Sequence, residues 1–266
     1  MKNLKNIGLL ICALLVYTGC GASSKAEYIN EGTEINSLAL VSHAKWDGLL
    51  KKHVSASGYV DYGGFKKDEA TLDSYLAELS KNPPQKAWGV NERLAYWINA
   101  YNAFTVKLIL DHADENIKSI KDIGSTIKIP FVNTPWDVKF IKIGNETMDL
   151  NNIEHGIIRK QFKEPRIHFA LVCAAKSCPP LRNEAYVASR LSAQLNDQGK
   201  KFINDPSKNK ISANSITISK ILNWYGGDFK DSGSIISWIN KYATVKVNEN
   251  ATVDYMDYNW ALNGKL

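Results

Sequence analysis

Cysteine, methionine and histidine are all scarce: the 266 residues include four Cys, three Met and five His. Two of the cysteines, Cys12 and Cys20, fall within the first twenty positions, so the rest of the chain has only Cys173 and Cys178 to work with. No two cysteines are separated by two residues, which excludes the usual zinc-ribbon and thioredoxin-like spacings. Cys173 and Cys178 with His168 upstream still lack a fourth ligand, and neither a metal nor any other cofactor is expected. No histidine follows Cys173, so the cysteine-then-histidine order of papain-like enzymes is excluded too. The formal charge is +6, yet no dense Lys/Arg stripe exists, and nucleic acid is not an expected partner. Internal repeats and low-complexity blocks are missing as well.

What the N-terminus does contain is an export signal. Lys2 and Lys5 precede an apolar stretch, Ile7 to Val16, that is too short for a stable membrane span and leads to Thr18-Gly19-Cys20. A cysteine directly after glycine resembles the bacterial lipoprotein signal, although Tyr17 stands where leucine is usual. The reading is therefore a signal peptide over 1–19, a lipidated Cys20 with a polar tether over 20–36, and one globular domain over 37–266. It implies an exported protein of the bacterial cell envelope, held to a membrane through Cys20. Removing Lys2 and Lys5 leaves a charge of +4.

The globular part reads as α+β, with a long central helix packed on a mixed or antiparallel sheet. Leu38 to His53 carries apolar residues at helical spacing, and SGYVDYGGF (57–65) reads as a short extended piece ended by Gly63-Gly64. A helix is predicted over Ala70 to Leu79, stopped by Asn82-Pro83-Pro84. The strongest element is NERLAYWINAYNAFTVKLIL, in which Leu94, Trp97, Ile98, Tyr101, Thr105 and Leu108 follow three-four spacing and Asn91 is the expected cap. Ile127 to Lys142 looks β-rich, with a turn at Gly144-Asn145, and Leu150 to Phe162 reads as a helix. RIHFALVC (166–173) is nearly continuously apolar and suits an interior strand. Helical signals return at Ala188–Ile203, a strand at Lys210–Ile218, helices at Ile221–Tyr225 and Ser234–Tyr242, and a closing hairpin at Val245–Tyr258.

Side by side, the segments GYVDY (58–62), LAYWINAYNAF (94–104), IEHGIIR (153–159), PRIHFALVCAAKSCPPLR (165–182), ILNWYGGDF (221–229) and YNWALN (258–263) resemble the domain-of-unknown-function family 547, in family order and over roughly residues 40–263. That resemblance implies an extent and a name but no settled activity, so the chemistry rests on the residues themselves.

Two readings of those residues stay open. In the first, Cys173 and Cys178 close a short loop as a disulfide in an oxidising compartment, and the domain binds a protein, peptide or glycan. In the second, Cys173 is the nucleophile of a thiol hydrolase or acyltransferase acting on peptide-like or amide substrates. His168 or His155 is then the base, and Glu154 or Asn99 orients it. Strand geometry would put His168 and Cys173 on opposite faces, so direct pairing needs a bend near Val172. Asn99 and Asn102, mid-helix beside aromatics, need hydrogen-bond partners, either by tying the helix to a loop or by contacting substrate. Arg166 is a candidate for holding a carboxylate, with an internal ion pair as the alternative. Trp224-Tyr225 and Tyr258, Trp260 read as core or as a sugar-binding platform.

Overall fold

A computed structural model describes residues 26–29, 41–124 and 134–266, with residues 230–232 as backbone alone. The expected signal segment, Cys20, most of the expected tether and residues 127–133 of the expected β-rich stretch lie outside the described residues. Among the described residues no helix is long and apolar enough to cross a membrane.

The order begins with α1 (Ala44–His53), β1 (Val60–Asp61), α2 (Tyr62–Lys67), α3 (Glu69–Lys81) and α4 (Val90–Asp111). It continues with β2 (Ile141–Ile143), β3 (Glu146–Met148), a π-helix at Asn152–Ile158, α5 (Arg159–Gln161) and α6 (Leu191–Ile203). The chain closes with β4 (Lys210–Ile211), β5 (Ser215–Ile218), α7 (Ile221–Trp224), α8 (Ile235–Ile239), β6 (Thr252–Tyr255) and β7 (Gly264–Lys265). The fold is α+β, as the sequence leads one to expect.

The 22-residue α4 is its centre. It is buried around nearly its whole circumference, which is the condition under which a helix loses a polar face. Gly89, not Asn91, is its cap: the Glu92 carboxylate accepts the Gly89 N–H at 2.6 Å, while Asn91 lies inside the first turn. Its packing partners are α2, α3 and the π-helix, and the strands are distributed over three small sheets. Tyr96 locks α4 to α3 by donating to the Leu79 carbonyl at 2.8 Å. The expected hairpin turn is present between antiparallel β2 and β3, where Gly144 has φ +59° and donates to Ser80 at 2.7 Å.

Three local expectations are corrected. Gly63-Gly64 do not end an extended piece but lie within α2, whose cap is Asp61, accepting from Gly64 N–H at 2.9 Å. RIHFALVC is not a strand; Pro165–Phe169 form a 3-10 helix and the backbone then runs irregularly to Cys173. Val245–Tyr258 is not a hairpin, because β6 pairs in parallel with β5, while β5 pairs antiparallel with β4. That sheet covers a second core cluster of Phe169, Phe202, Phe229 and Trp238, beside the main core around α4.

The C-terminus folds back onto the beginning of the domain. β7 pairs in parallel with β1, and a Cβ at Gly264 would lie 1.9 Å from the Val60 carbonyl oxygen, so only glycine allows this approach. Tyr62 donates to Asn263 Oδ1 at 2.7 Å in the same place. Within the expected tether, residues 26–29 are packed against the domain. Glu27 exchanges backbone hydrogen bonds with Gln161 and Lys163, both 2.7 Å, and Ile29 is buried.

Candidate functional site

The site forms where the cysteine loop is clasped by the C-terminal segment. Lys176 N–H donates to Ala261 (2.7 Å), Asn263 N–H to Ala174 (3.0 Å), and Asn259 N–H to Ser177 Oγ (2.8 Å). Cys173 and Cys178 are joined as a disulfide with Cα atoms 6.3 Å apart, a separation within the usual range. Cys173 is partly exposed and Cys178 buried, and the Tyr258 hydroxyl lies 3.1 Å from Cys178 Sγ and 3.4 Å from Cys173 Sγ. Ala174, next to the first cysteine, has φ +57°, a left-handed conformation that costs a residue with a Cβ energy and is held here by the clasp.

The approach to Cys173 is fixed by α4. Asn102 donates to the Ala170 carbonyl and accepts from Val172 N–H, both at 2.9 Å, so one buried amide serves as the backbone partner that a neighbouring strand would otherwise supply. Asn99 does the same for Tyr186, donating at 2.8 Å and accepting at 3.0 Å. Both asparagines thus tie the helix to loops, and neither lines the cavity described next. Arg166 is also apart from it. Its guanidinium is buried against Glu164 (2.7 and 2.5 Å), Ser192 (3.1 Å) and Asn196 (2.8 Å), an internal ion pair.

The four candidates for chemistry are brought together. Cys173, His168, His155 and Glu154 all line one cavity of about 280 Å³. His168 and Cys173 share it because the chain between them is not extended, so the alternation of a strand does not apply. His168 is buried, with Nε2 2.7 Å from Asp228 Oδ2. Its ring stacks on Tyr225 with centroids 3.8 Å apart. Asp228 in turn receives two parallel hydrogen bonds from Arg159, Nε at 2.7 Å and Nη2 at 2.8 Å. Arg159 also donates to His155 Nδ1 at 3.1 Å.

Burial pushes the Asp228 carboxyl up, but the hydrogen bonds from His168 and Arg159 outweigh it and hold the group well below the usual carboxylate range. For His168, burial pushes the pKa below the ordinary value of 6.5, against the pull of Asp228. At neutral pH the imidazole is therefore uncharged. An ionised Asp228 accepts only from N–H, which assigns the proton to Nε2 and leaves Nδ1 with its lone pair. His168 Nδ1 makes no hydrogen bond to a described residue, and the residue lines the cavity.

Glu154 is buried on the π-helix, 4.0 Å from His155 Nδ1. Burial, with the Glu154 carboxylate nearby, pushes the Tyr101 and Tyr225 hydroxyls up and keeps them protonated. The opposite wall is aromatic: Trp224, Tyr258 and Trp260 pack with centroids 4.5–6.0 Å apart, and Trp136 meets Trp260 at 5.6 Å. Trp224 remains 49% exposed at the edge. Among the described residues no group of three His, Cys, Asp or Glu could hold a metal ion.

Asp228 and Arg159 are the functional residues that sequence reasoning missed. Asp228 stands sixty positions from His168, and its only signal was membership of the motif ILNWYGGDF. Neither the curated proteins nor the solved structures include a significant match to this chain. Residues 85–203 match the model of the family described as "Protein of unknown function, DUF547", a span that holds Cys173, Cys178, both cavity histidines, Glu154 and Arg159.

Proposed function

We propose that the domain is a thiol hydrolase or acyltransferase for peptide-like or amide substrates, with Cys173 as nucleophile once the disulfide is reduced. The observation that carries this reading is that Cys173 shares a cavity with a neutral His168 whose Nε2 is fixed by Asp228 and whose Nδ1 is unengaged. A thiol needs such a base, and the base needs an orienting group to hold its tautomer.

A dithiol reductant of the cell envelope becomes a disulfide and gives two electrons and two protons to Cys173 and Cys178. Cys173 Sγ–H passes its proton to His168 Nδ1, and the thiolate attacks the substrate carbonyl carbon. The imidazolium returns the proton to the departing amine, leaving a thioester on Cys173. Water or an acceptor amine gives a proton to the same Nδ1 and attacks that thioester; the acyl group leaves on the new oxygen or nitrogen, and the departing Cys173 thiolate takes the proton back from the imidazolium. Asp228 stabilises the imidazolium and acts as a positioning residue, with Arg159 holding it in place. The aromatic wall gives a flat or apolar part of the substrate a surface to lie on.

The test is iodoacetamide labelling of the reduced native protein at neutral pH. Cys173 is expected to react roughly tenfold or more faster than Cys178, and His168→Ala should remove the difference. Equal slow labelling of both thiols, or turnover of any identified substrate that survives Cys173→Ser in a folded protein, would sink the proposal.

A second reading, a binding domain without chemistry, is favoured by the closed disulfide and the partly exposed Trp224. There the aromatic wall takes a sugar ring or peptide side chain, and affinity survives loss of both cavity histidines. For either reading we propose that the chain is exported and anchored through an acylated Cys20, on the strength of residues 1–20. Detergent-extracted protein should carry the added acyl mass, and Cys20→Ser should release it to the soluble fraction.

A further inference from the structure

We propose that a second cavity, lined by the Arg159–Asp228 pair but not by His168, binds anionic phospholipid headgroups of the membrane to which the chain is anchored. The proposal rests on the acylated Cys20 above and is independent of the thiol chemistry. The cavity is about 560 Å³, twice the volume of the first. Four cations line it, Arg159, Lys163, Arg166 and Lys241, against two carboxylates, Glu164 and Asp228. By formal charge the lining residues are positive, and two of them, Lys163 and Lys241, are exposed. An anion is the ligand class that such a balance attracts.

Its position identifies the source of the anion. One wall consists of Tyr28 and Ile29, the packed N-terminal segment, and the Lys163 ammonium lies 5.3 Å over the Tyr28 ring. Glu27 fastens that segment by its backbone bonds to Gln161 and Lys163 and by an ion pair with Arg93 at 2.7 Å. From Cys20 to Ala26 there are six residue steps, which cannot span more than about 20 Å whatever their path. An acyl chain on Cys20 therefore keeps this face near the bilayer. Tyr28, 64% exposed, offers the kind of amphipathic ring that sits at headgroup level. A cationic rim, an exposed tyrosine and a short leash all address the same lipid surface.

The experiment uses the mature chain from residue 20 with Cys20→Ser, so that no acyl chain supplies binding. It is sedimented with vesicles of phosphatidylcholine alone or mixed with phosphatidylglycerol. Binding is expected only to the mixed vesicles, with roughly a tenfold or greater loss of affinity in the Lys163→Glu/Lys241→Glu double variant. Both positions are exposed, and an unchanged circular dichroism spectrum confirms that the variant folds. Equal binding to both vesicle types, or no effect of the double variant, would overturn the proposal. So would displacement by soluble glycerol phosphate at the concentration of the lipid, which would indicate a free-anion site. The mass of the detergent-extracted wild-type chain separates the two ideas. An acylated chain whose Cys20→Ser form ignores anionic vesicles removes the headgroup site and leaves the anchor standing.

Discussion

Asn102→Ala tests how the approach to Cys173 is held. The wild-type amide is buried and pairs with one backbone carbonyl and one backbone N–H, at Ala170 and Val172. Alanine leaves both groups unpaired, and each buried orphan costs about 1–3 kcal/mol, so the expected loss is roughly 2–6 kcal/mol. Asn99→Ala is the matched control, because it orphans an equivalent pair at Tyr186 and should cost a similar amount in urea unfolding of the oxidised protein. The two variants should differ in a local measurement. A loss of about 3 kcal/mol confined to Ala170–Val172 raises the opened population of that segment by roughly a hundredfold. Reduction of Cys173–Cys178 by a dithiol under native conditions should then be much faster in Asn102→Ala than in Asn99→Ala. Equal rates in the two variants, or a stability loss under about 1 kcal/mol for Asn102→Ala, would refute the view that this amide replaces a strand.

Other outcomes follow from the same geometry. Because burial places the folded pKa of His168 below 6.5, the unfolded chain binds a proton there that the folded chain does not. Stability should accordingly be full above pH 6.5 and fall as the pH drops through the folded value, and His168→Gln should flatten that slope in a series of unfolding curves. The alkylation rate of reduced Cys173 should keep its acid limb below pH 6.5, with a lower plateau in Asp228→Asn; a limb at or above 6.5 would contradict the buried neutral base. Cutting the disulfide by Cys173→Ser/Cys178→Ser should cost only about 2 kcal/mol, since the closed loop is short, and unfolding curves with and without reductant should agree with it. Trp224→Ala, half exposed, should change stability by about 1 kcal/mol or less, yet weaken an identified ligand roughly tenfold by titration.

Helical spacing made α3 legible, because Leu72, Tyr75, Leu76 and Leu79 form one buried stripe, and α4 was legible as a long run at helical spacing although it is buried nearly all round; Gly144-Asn145 marked the β2–β3 turn through a conformation that glycine favours. Composition alone pointed to the cysteine pair, the two cysteines that follow residue 20. The apolar run RIHFALVC was misread for a physical reason. Continuous burial is equally compatible with a strand and with irregular backbone whose polar groups are satisfied by side chains, and Asn102 supplies that satisfaction from seventy positions away. The Asp228 partner of His168 could not be found by spacing, since sixty residues separate the two. β6 was read as half of a hairpin because hairpins are local, whereas its partner β5 is parallel and lies across α7 and α8. Asn91 looked like a cap by residue type, but Glu92 reaches the Gly89 N–H and moves the cap back to that glycine.

The π-helix at Asn152–Ile158 makes the site sensitive to counting. A π-turn holds one residue more than an α-turn, and such turns are frequent where function is placed. Deleting a single residue inside this turn would let it relax to the α form while the turns before and after it keep nearly the same phase, because the surplus residue is absorbed within the turn itself. Arg159, at the far end, would keep its line to Asp228, and the change would fall on Glu154 and His155, the two residues of the turn that line the cavity. The surplus residue therefore acts as a local displacement: composition, burial and hydrophobicity could all survive its removal while the placement of these two side chains did not.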